Sequence, residues 1–457
     1  MSSSAARSDL AALLGADSVL PDVPAHYLVD ATESRGVRGS ADAVVLPETA
    51  EDIVRAVAWC YEHGVPIVPR GGGTGFAGGA VPVEGGVVLG LERLRQVRSV
   101  EPQAWRMHAE AGVPTAAVRR LARETGLFFP PDPGAAEQSH IGGNIATNAG
   151  GPHAFKYGVT GDWVLGVEAV VPPGELVTFG GPVRKDAAGY DLASLMVGSE
   201  GTLGVITAAW LRLIPAPEVT LSVAAFYPTL ERGCEVVAEV LESGVAVAAL
   251  EFLDCGTLTA AAPSFPGGAP EGAAFLVLAN ADGSAAEATR VRDEAVEVFR
   301  PGALRVDAPS EQAAAAAIWS WRDGVSLAVT ARLGGKLSED IVVPFERLRD
   351  AIEGTLEIGA RHGLEACSWG HAGDGNLHST FMFARGDEEA VARAEAGAEE
   401  LFSLAVALGG SISGEHGIGL TKRGRLALQW SPRALALHRA VKQAFDPGSL
   451  LNPGKKL

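Results

Sequence analysis

The feature that most restricts the fold of this chain is a strand, a glycine loop and a second strand in immediate succession. VPIVP runs into RGGGTGFAGG, and GGVVLGL follows. Residues 73–78 read G-x-G-x-x-G, the spacing of a dinucleotide-binding turn. That turn needs a helix directly behind it, so that the pyrophosphate rests on the helix N-terminus. Here Pro82, Gly85 and Gly86 follow, and the next regular element is another β-branched run, so a Rossmann unit is excluded. What remains is a nest of backbone N–H groups from successive glycines that can cup an anionic pyrophosphate, with Arg70 beside it as a source of charge. Alone, such a loop serves equally well as a glycine-rich hairpin.

Two further loops change that balance. PPDPGAAEQSHIGGNIATNAGG places Gly142, Gly143, Gly150 and Gly151 among small and amide side chains, which suits close backbone approach to a flat ring. VGSEGTLGVIT repeats the theme with Gly198, Gly201 and Gly204. The chain has 57 glycines, well above the roughly 7 % average, and they fall in short runs rather than in linkers. Three such loops in one stretch favour an extended nucleotide cofactor over three unrelated turns.

The 457 residues exceed what one ordinary core accommodates. Helical periodicity over 48–63, with Thr49 as cap and Gly64 as stop, a hairpin around Glu101 and Pro102, and a helix opened by Pro114 and closed by Gly126 build the first part. A boundary is expected near Pro217. After it LSVAAFYP, a helix over 231–243, the strand-like VAVAALEFL and FLVLAN start a new alternation, 284–299 is a solvated helix, and a last helix stops at Asp446, Pro447 and Gly448. The expected division is a helical segment over 1–37, a first domain over 38–217 and a second over 218–457.

A net charge of −18 argues against nucleic acid and against anionic membranes as partners. An anionic substrate would then need locally concentrated cations. Cys60, Cys234, Cys255 and Cys367 lack paired spacing, so neither disulfides, a thiolate metal site nor iron–sulfur clusters are expected, and a reducing cytoplasm is the simplest setting. The N-terminus lacks the pattern of a secretory signal, and no apolar, charge-free run reaches 18 residues, so no spanning helix is expected.

Three of the ten histidines cluster late in the chain, His371 and His378 in GHAGDGNLH and His416 beside Glu415 in SGEHG. Seven residues apart on one straight strand, His371 and His378 would face opposite ways, but GDG between them is a turn signal that can bring them together. Two imidazoles and a carboxylate make an open divalent site for zinc, or for manganese or iron. Any one of these histidines, taken singly, serves as readily in packing.

Taken in order, PRGGGTG, IGGNIATNAGG, KDAAGYDL with VGSEGTLGVIT, GHAGDGNLH, SGEHGIGLTKR and FDPGSLLNPGK resemble the FAD-linked oxidases of the vanillyl-alcohol oxidase superfamily. Within these, the branch of the glycolate oxidase flavin subunit and D-lactate dehydrogenase is most similar. The resemblance implies an α+β fold, with a bipartite FAD domain of the p-cresol methylhydroxylase (PCMH) type followed by an α+β substrate cap on an antiparallel sheet, and a C-terminal tail folded back toward the flavin. It implies flavin contacts from Arg70, Gly71, Gly72, Gly73, Thr74, Gly75, Pro131, Asp132, Gly142, Gly143, Asn148, Gly151, Glu200, Gly201 and Ile206. No histidine stands in the first glycine loop, so FAD is expected to bind noncovalently, with His153 as a packing or hydrogen-bonding residue. His371, His378 and Glu415 match the family's metal ligands, His416 its base, and Arg322 and Lys336 the residues that bind the substrate acid, with Ser326 near them. Without the resemblance, Arg322 and Lys336 read as ordinary surface charges. Where the family commonly carries Asn two positions after the second histidine, this chain has Thr380. The implied activity is oxidation of a small 2-hydroxy acid such as glycolate, D-lactate or D-2-hydroxyglutarate. Electrons would leave to an acceptor outside the chain, and a homodimer or association with other oxidase subunits is compatible.

Overall fold

Local chemistry starts the helices where the sequence places them. Thr49 caps Ala50–His63 by accepting the Asp52 N–H, Asp52 answers through the Thr49 N–H, and Gly64 ends the helix in the left-handed region at φ 64. Ser284 caps Ala285–Phe299, and the last helix, Pro432–Phe445, stops at Asp446. The computed structural model describes residues 2–457, which fall into two units.

The first unit contains the chain up to Gly150, then Val159–Ala216 and Glu415–Leu457. It holds a three-stranded parallel sheet with Val87–Gly90 between Ala43–Val45 and Ile67–Arg70. These strands are almost wholly buried, as the continuous apolar runs of a parallel sheet require. A five-stranded antiparallel sheet runs in the order Val97–Glu101, Arg106–Glu110, Val205–Arg212, Val164–Val171 and Glu175–Gly180, its first pair being the hairpin expected around Pro102. This pair of sheets is the bipartite arrangement expected from the sequence.

The second unit contains Gly151–Gly158 and Pro217–Gly414. Its sheet has seven strands, in the order Arg305–Asp307, Val219–Tyr227, Phe275–Gly283, Ala249–Leu253, Glu365–His371, Asn376–Ala384 and Gly334–Val342. Every pairing is antiparallel. Leu253, Leu276, Cys367, Trp369 and Met382 project from one face into a cluster with Leu258, Ile318, Trp321, Val325 and Val329, so Cys255–Ala261, Gln312–Asp323 and Val325–Leu333 cover that face. On the other face, Gly233 lies against Phe275, Gly359 against Ala366 and Gly397 against Phe381, which seats three more helices.

The stretch Glu415–Leu457 of the expected domain 218–457 lies in the first unit. Ile67 N–H donates to Leu450 O at 2.8 Å and Asn452 N–H to Ile67 O at 2.7 Å, so the tail runs parallel to the edge of the first unit's sheet. Residues 151–158 depart from their sequence neighbours in the opposite sense. Lys156 Nζ and Tyr157 Oη both donate to the buried Asp282 carboxylate, at 2.6 and 2.7 Å. Pairings of this span leave no local pattern. Among the described residues no helix is long and apolar enough to cross a membrane.

Candidate active site

The first unit gathers the three glycine loops. A methyl on Gly72 would fall 1.9 Å from Gln138 O, and one on Gly142 would fall 2.5 Å from Ala111 Cβ, so the chain closes tightly on itself at both places. The third loop hangs from the helix Ile141–Thr147, with Gly198 N–H donating to Ile145 O and Glu200 N–H to Ala146 O, at 2.9 and 2.7 Å. Asn148 ends that helix at φ 53, and its Oδ1 accepts the Gly161 N–H at 2.8 Å. Gly75 and Gly143, by contrast, have nothing within 4 Å of where a side chain would begin. Tightly packed glycines beside open ones fit a nucleotide laid along the loops.

The remaining expected flavin residues have varied surroundings. A methyl on Gly71 would fall 3.5 Å from Gly143 Cα, and Gly201 at φ +69 lies against Pro69. Gly73 and Thr74 occupy the half-buried turn, Pro131 is buried and Asp132 half-buried ahead of the second loop, and Ile206 is buried in the sheet opposite Ala169. Arg70 is turned inward. Its guanidinium donates to Val29 O, lies over the Tyr27 ring and presses on Gly73, bracing the loop from inside. Gly151 belongs to the second unit, as does His153, whose ring meets Trp319 and Asn280. Glu200 is committed within the protein: its carboxylate accepts the N–H groups of Ile418 and Gly419 and the Lys456 ammonium, at 3.0, 2.6 and 3.1 Å.

In the second unit, Gly375 turns the chain at φ +66 between Glu365–His371 and Asn376–Ala384. The register pairs His371 with Asn376 and Trp369 with His378, which brings both imidazoles to one face. Their ring centroids are 5.4 Å apart, with a nitrogen of each within 4.8 Å of the other. Glu251, 1 % exposed, stands directly opposite His371 on the neighbouring strand. Its Oε1 accepts His371 Nδ1–H at 2.6 Å, and its Oε2 accepts Arg322 Nε–H at 2.7 Å and also Arg322 Nη2–H. Burial works against the charge on Glu251, but Arg322 and His371 outweigh it and hold the carboxyl below the usual range. Lys336 lies over the Trp369 ring and donates to Ser326 Oγ and O at 2.6 and 2.8 Å, and burial pushes its ammonium down to about 8. Thr380 is fully buried, shares a 2.7 Å hydrogen bond with Ser338 Oγ and donates to His378 O.

Between the units the chain passes through SGEHGIG, anchored on each side by a buried carboxylate. Asp340, opposite His378 in the sheet register, accepts Ser413 Oγ–H at 3.0 Å and Gly414 N–H at 2.9 Å. Glu200 holds Ile418 and Gly419 within the first unit. Glu415 and His416 lie in the short stretch between these anchors. Within the first unit, the Glu415 carboxylate is against Gly150, and the His416 ring stands 4.9 Å from that of Phe76.

Residues 41–180 match the family model described as FAD binding domain, and residues 216–456 match that of FAD linked oxidases, C-terminal domain. The chain belongs to the FAD-linked oxidase family. It is 36% identical over 430 residues to the glycolate oxidase subunit GlcD of Bacillus subtilis (strain 168), covering 94% of this chain and 91% of that one. It is 34% identical over 437 residues to a D-lactate dehydrogenase of Anaerostipes hadrus, covering 93% and 91%. Among solved structures, p-cresol methylhydroxylase aligns over 99% of this chain and 96% of its own with a TM-score of 0.79 and 19% identity. Alkyldihydroxyacetonephosphate synthase aligns over 98% and 84% with a TM-score of 0.78, also at 19% identity. These structures establish the two-domain PCMH-type fold, and the family makes the chain an FAD-linked oxidoreductase.

Sequence reasoning passed over Glu251, Asp340 and Asn452. Each left a trace: Glu251 is the only charge in VAVAALEFL, Asp340 precedes the apolar run IVV, and Asn452 belongs to the LNPGK motif. A lone carboxylate inside a strand that is otherwise apolar must have partners, because burial unpaired is costly.

Proposed function

We propose that this FAD-linked oxidase converts a small 2-hydroxy acid to the 2-oxo acid, using noncovalently bound FAD and a divalent metal held by His371, His378 and Glu415. One observation carries the reading: a single buried carboxylate, Glu251, holds a histidine of metal-ligating type and an arginine of carboxylate-binding type. Relatives bear the names glycolate oxidase subunit and D-lactate dehydrogenase, and glycolate and D-lactate are both 2-hydroxy acids. The donor set of two imidazoles and a carboxylate suits zinc, with manganese and iron as alternatives.

When bound, the flavin supplies a hydride acceptor at N5 and the metal a Lewis acid that lowers the hydroxyl pKa. The chain does the rest. Arg322 and Lys336 hold the acid's carboxylate, concentrating positive charge in a protein of net charge −18. His416, backed by Phe76, takes the hydroxyl proton on its imidazole. The glycine loops fix the cofactor so that the C2 hydrogen can be held against it with water excluded. Reoxidation requires an acceptor outside the chain: oxygen, a quinone, a cytochrome or a partner protein. Relatives named as subunits favour a partner chain. The four cysteines are free, which supports a reducing, cytoplasmic setting.

The test is an anaerobic titration of the holoprotein with glycolate, both lactates and both 2-hydroxyglutarates, following the oxidised-flavin absorption. Bleaching by one acid, or by one enantiomer, is expected. If none bleaches a flavin-loaded, metal-supplemented protein, the reading fails, and aryl alcohols or sugars become the substrates to try.

A further inference from the structure

We propose that Glu251 is the positioning residue that couples the metal site to the arginine binding the acid; this rests on reading His371, His378 and Glu415 as metal ligands. Its place follows from the sheet. Glu251 pairs with His371 across two adjacent antiparallel strands, so their side chains leave the same face side by side. Its strand is paired on both sides within the sheet, its side chain is buried, and its two oxygens are divided between His371 and Arg322 of the helix Gln312–Asp323.

That division fixes two geometries at once. An ionised carboxylate only accepts hydrogen bonds, so His371 must donate from Nδ1 and present the lone pair of Nε2 as its ligand atom. A carboxylate behind a ligating imidazole also makes that imidazole a stronger donor to a metal. On the other side, Glu251 takes the Nε and Nη2 edge of the Arg322 guanidinium. With Nη1 also 3.9 Å from Asp323 Oδ1, the planar guanidinium is oriented before a substrate carboxylate reaches it. Glu251 also places a negative charge between the arginine and a divalent cation that would otherwise repel it. The acid binder and the metal thus share one orienting group, and losing it disturbs both.

Glutamine at this position tests the claim, since its amide N–H₂ cannot accept from Arg322 while its oxygen still reaches one partner. Glu251→Gln is expected to keep its flavin and to bind Zn²⁺ or Mn²⁺ about 10–100-fold more weakly in equilibrium dialysis with elemental analysis. Its dissociation constant for oxalate, a substrate-like dianion read from the flavin spectrum, should also rise at least tenfold with metal saturating. Leu253→Ala, on the same strand and face, is the control for loosened packing and should lose thermal stability without either change. If Glu251→Gln matches the wild type within twofold in both constants, the coupling is refuted while the metal site stands. If the wild type itself takes up no metal, the site and the coupling both fall. Should Glu251→Gln not fold, Glu251→Asp, which keeps the charge but is too short to span both partners, is judged by the same two constants.

Discussion

Lys336 shows how one side chain's surroundings become a measurable property. Its ammonium lies over the Trp369 ring with Ser326 as hydrogen-bond partner, and burial pushes its pKa from the ordinary value of 10.5 down to about 8. A lowered lysine pKa means that the cation is lost as pH rises through about 8, well below the usual range. If Lys336 binds the acid, KM should be flat at neutral pH and climb above about pH 8, approaching tenfold per unit, while kcat changes little. Lys336→Arg should keep KM flat, because a guanidinium stays charged. A wild-type KM that does not move between about pH 7 and 9.5 would remove Lys336 from the acid site. This lysine was legible only through the family resemblance, since nothing local separates it from a surface charge. His371, His378 and Glu415 stood out because rare side chains sat in glycine-rich motifs. Glu251 did not, because its meaning lies in partners 71 and 120 residues away.

At the level of elements, the hairpin carrying the two histidines depends on Gly375. Its φ of +66 costs a residue with a side chain about 1–2 kcal/mol. A methyl there would also fall 2.0 Å from Val343 O, a backbone atom that cannot swing aside. Gly386, in the next turn at φ +86, has nothing within 4 Å. The pair separates conformational from steric cost. Gly386→Ala should lose only about 1–2 kcal/mol in a denaturant titration and retain metal. Gly375→Ala should lose more and bind metal more weakly, because the turn that aligns His371 with His378 must shift. Equal losses with equal metal binding would refute the role of this turn. Elements were the most legible level of the fold. The capped helix Ala50–His63, the hairpin at Pro102 and the strand Phe275–Gly283 all carry their signals within a few neighbouring residues. The order of the seven strands does not, because antiparallel partners such as Ala249–Leu253 and Glu365–His371 are chosen by packing across more than a hundred residues.

For the whole molecule, the decisive event is the return of the tail to the first unit, which was legible only through the family resemblance and its implied folded-back tail. The run FDPGSLLNPGK shows that the helix stops, but a bridge from Leu451 to Ile67 spans nearly the whole chain. What the tail does there can be tested at Asn452. Its Nδ2 donates to Gly79 O and to Glu200 O, both at 2.8 Å, so one amide clips the first glycine loop to the third. Lys455 and Lys456 add bonds to Val81 O and Gly198 O on the same two segments. If FAD lies along these loops, the tail is a clasp whose strength appears in cofactor affinity. Asn452 has φ 42, so Asn452→Gly removes the amide without straining the backbone. Two lost hydrogen bonds are worth about 1–3 kcal/mol, and about 1.4 kcal/mol is a factor of ten in affinity. The FAD dissociation constant should therefore rise about tenfold, with kcat recovered at saturating FAD. Leu437→Ala, an exposed position on the preceding helix, should change neither. An Asn452→Gly protein that holds FAD as tightly as the wild type would show that the loops keep their arrangement unaided, leaving the tail as packing alone.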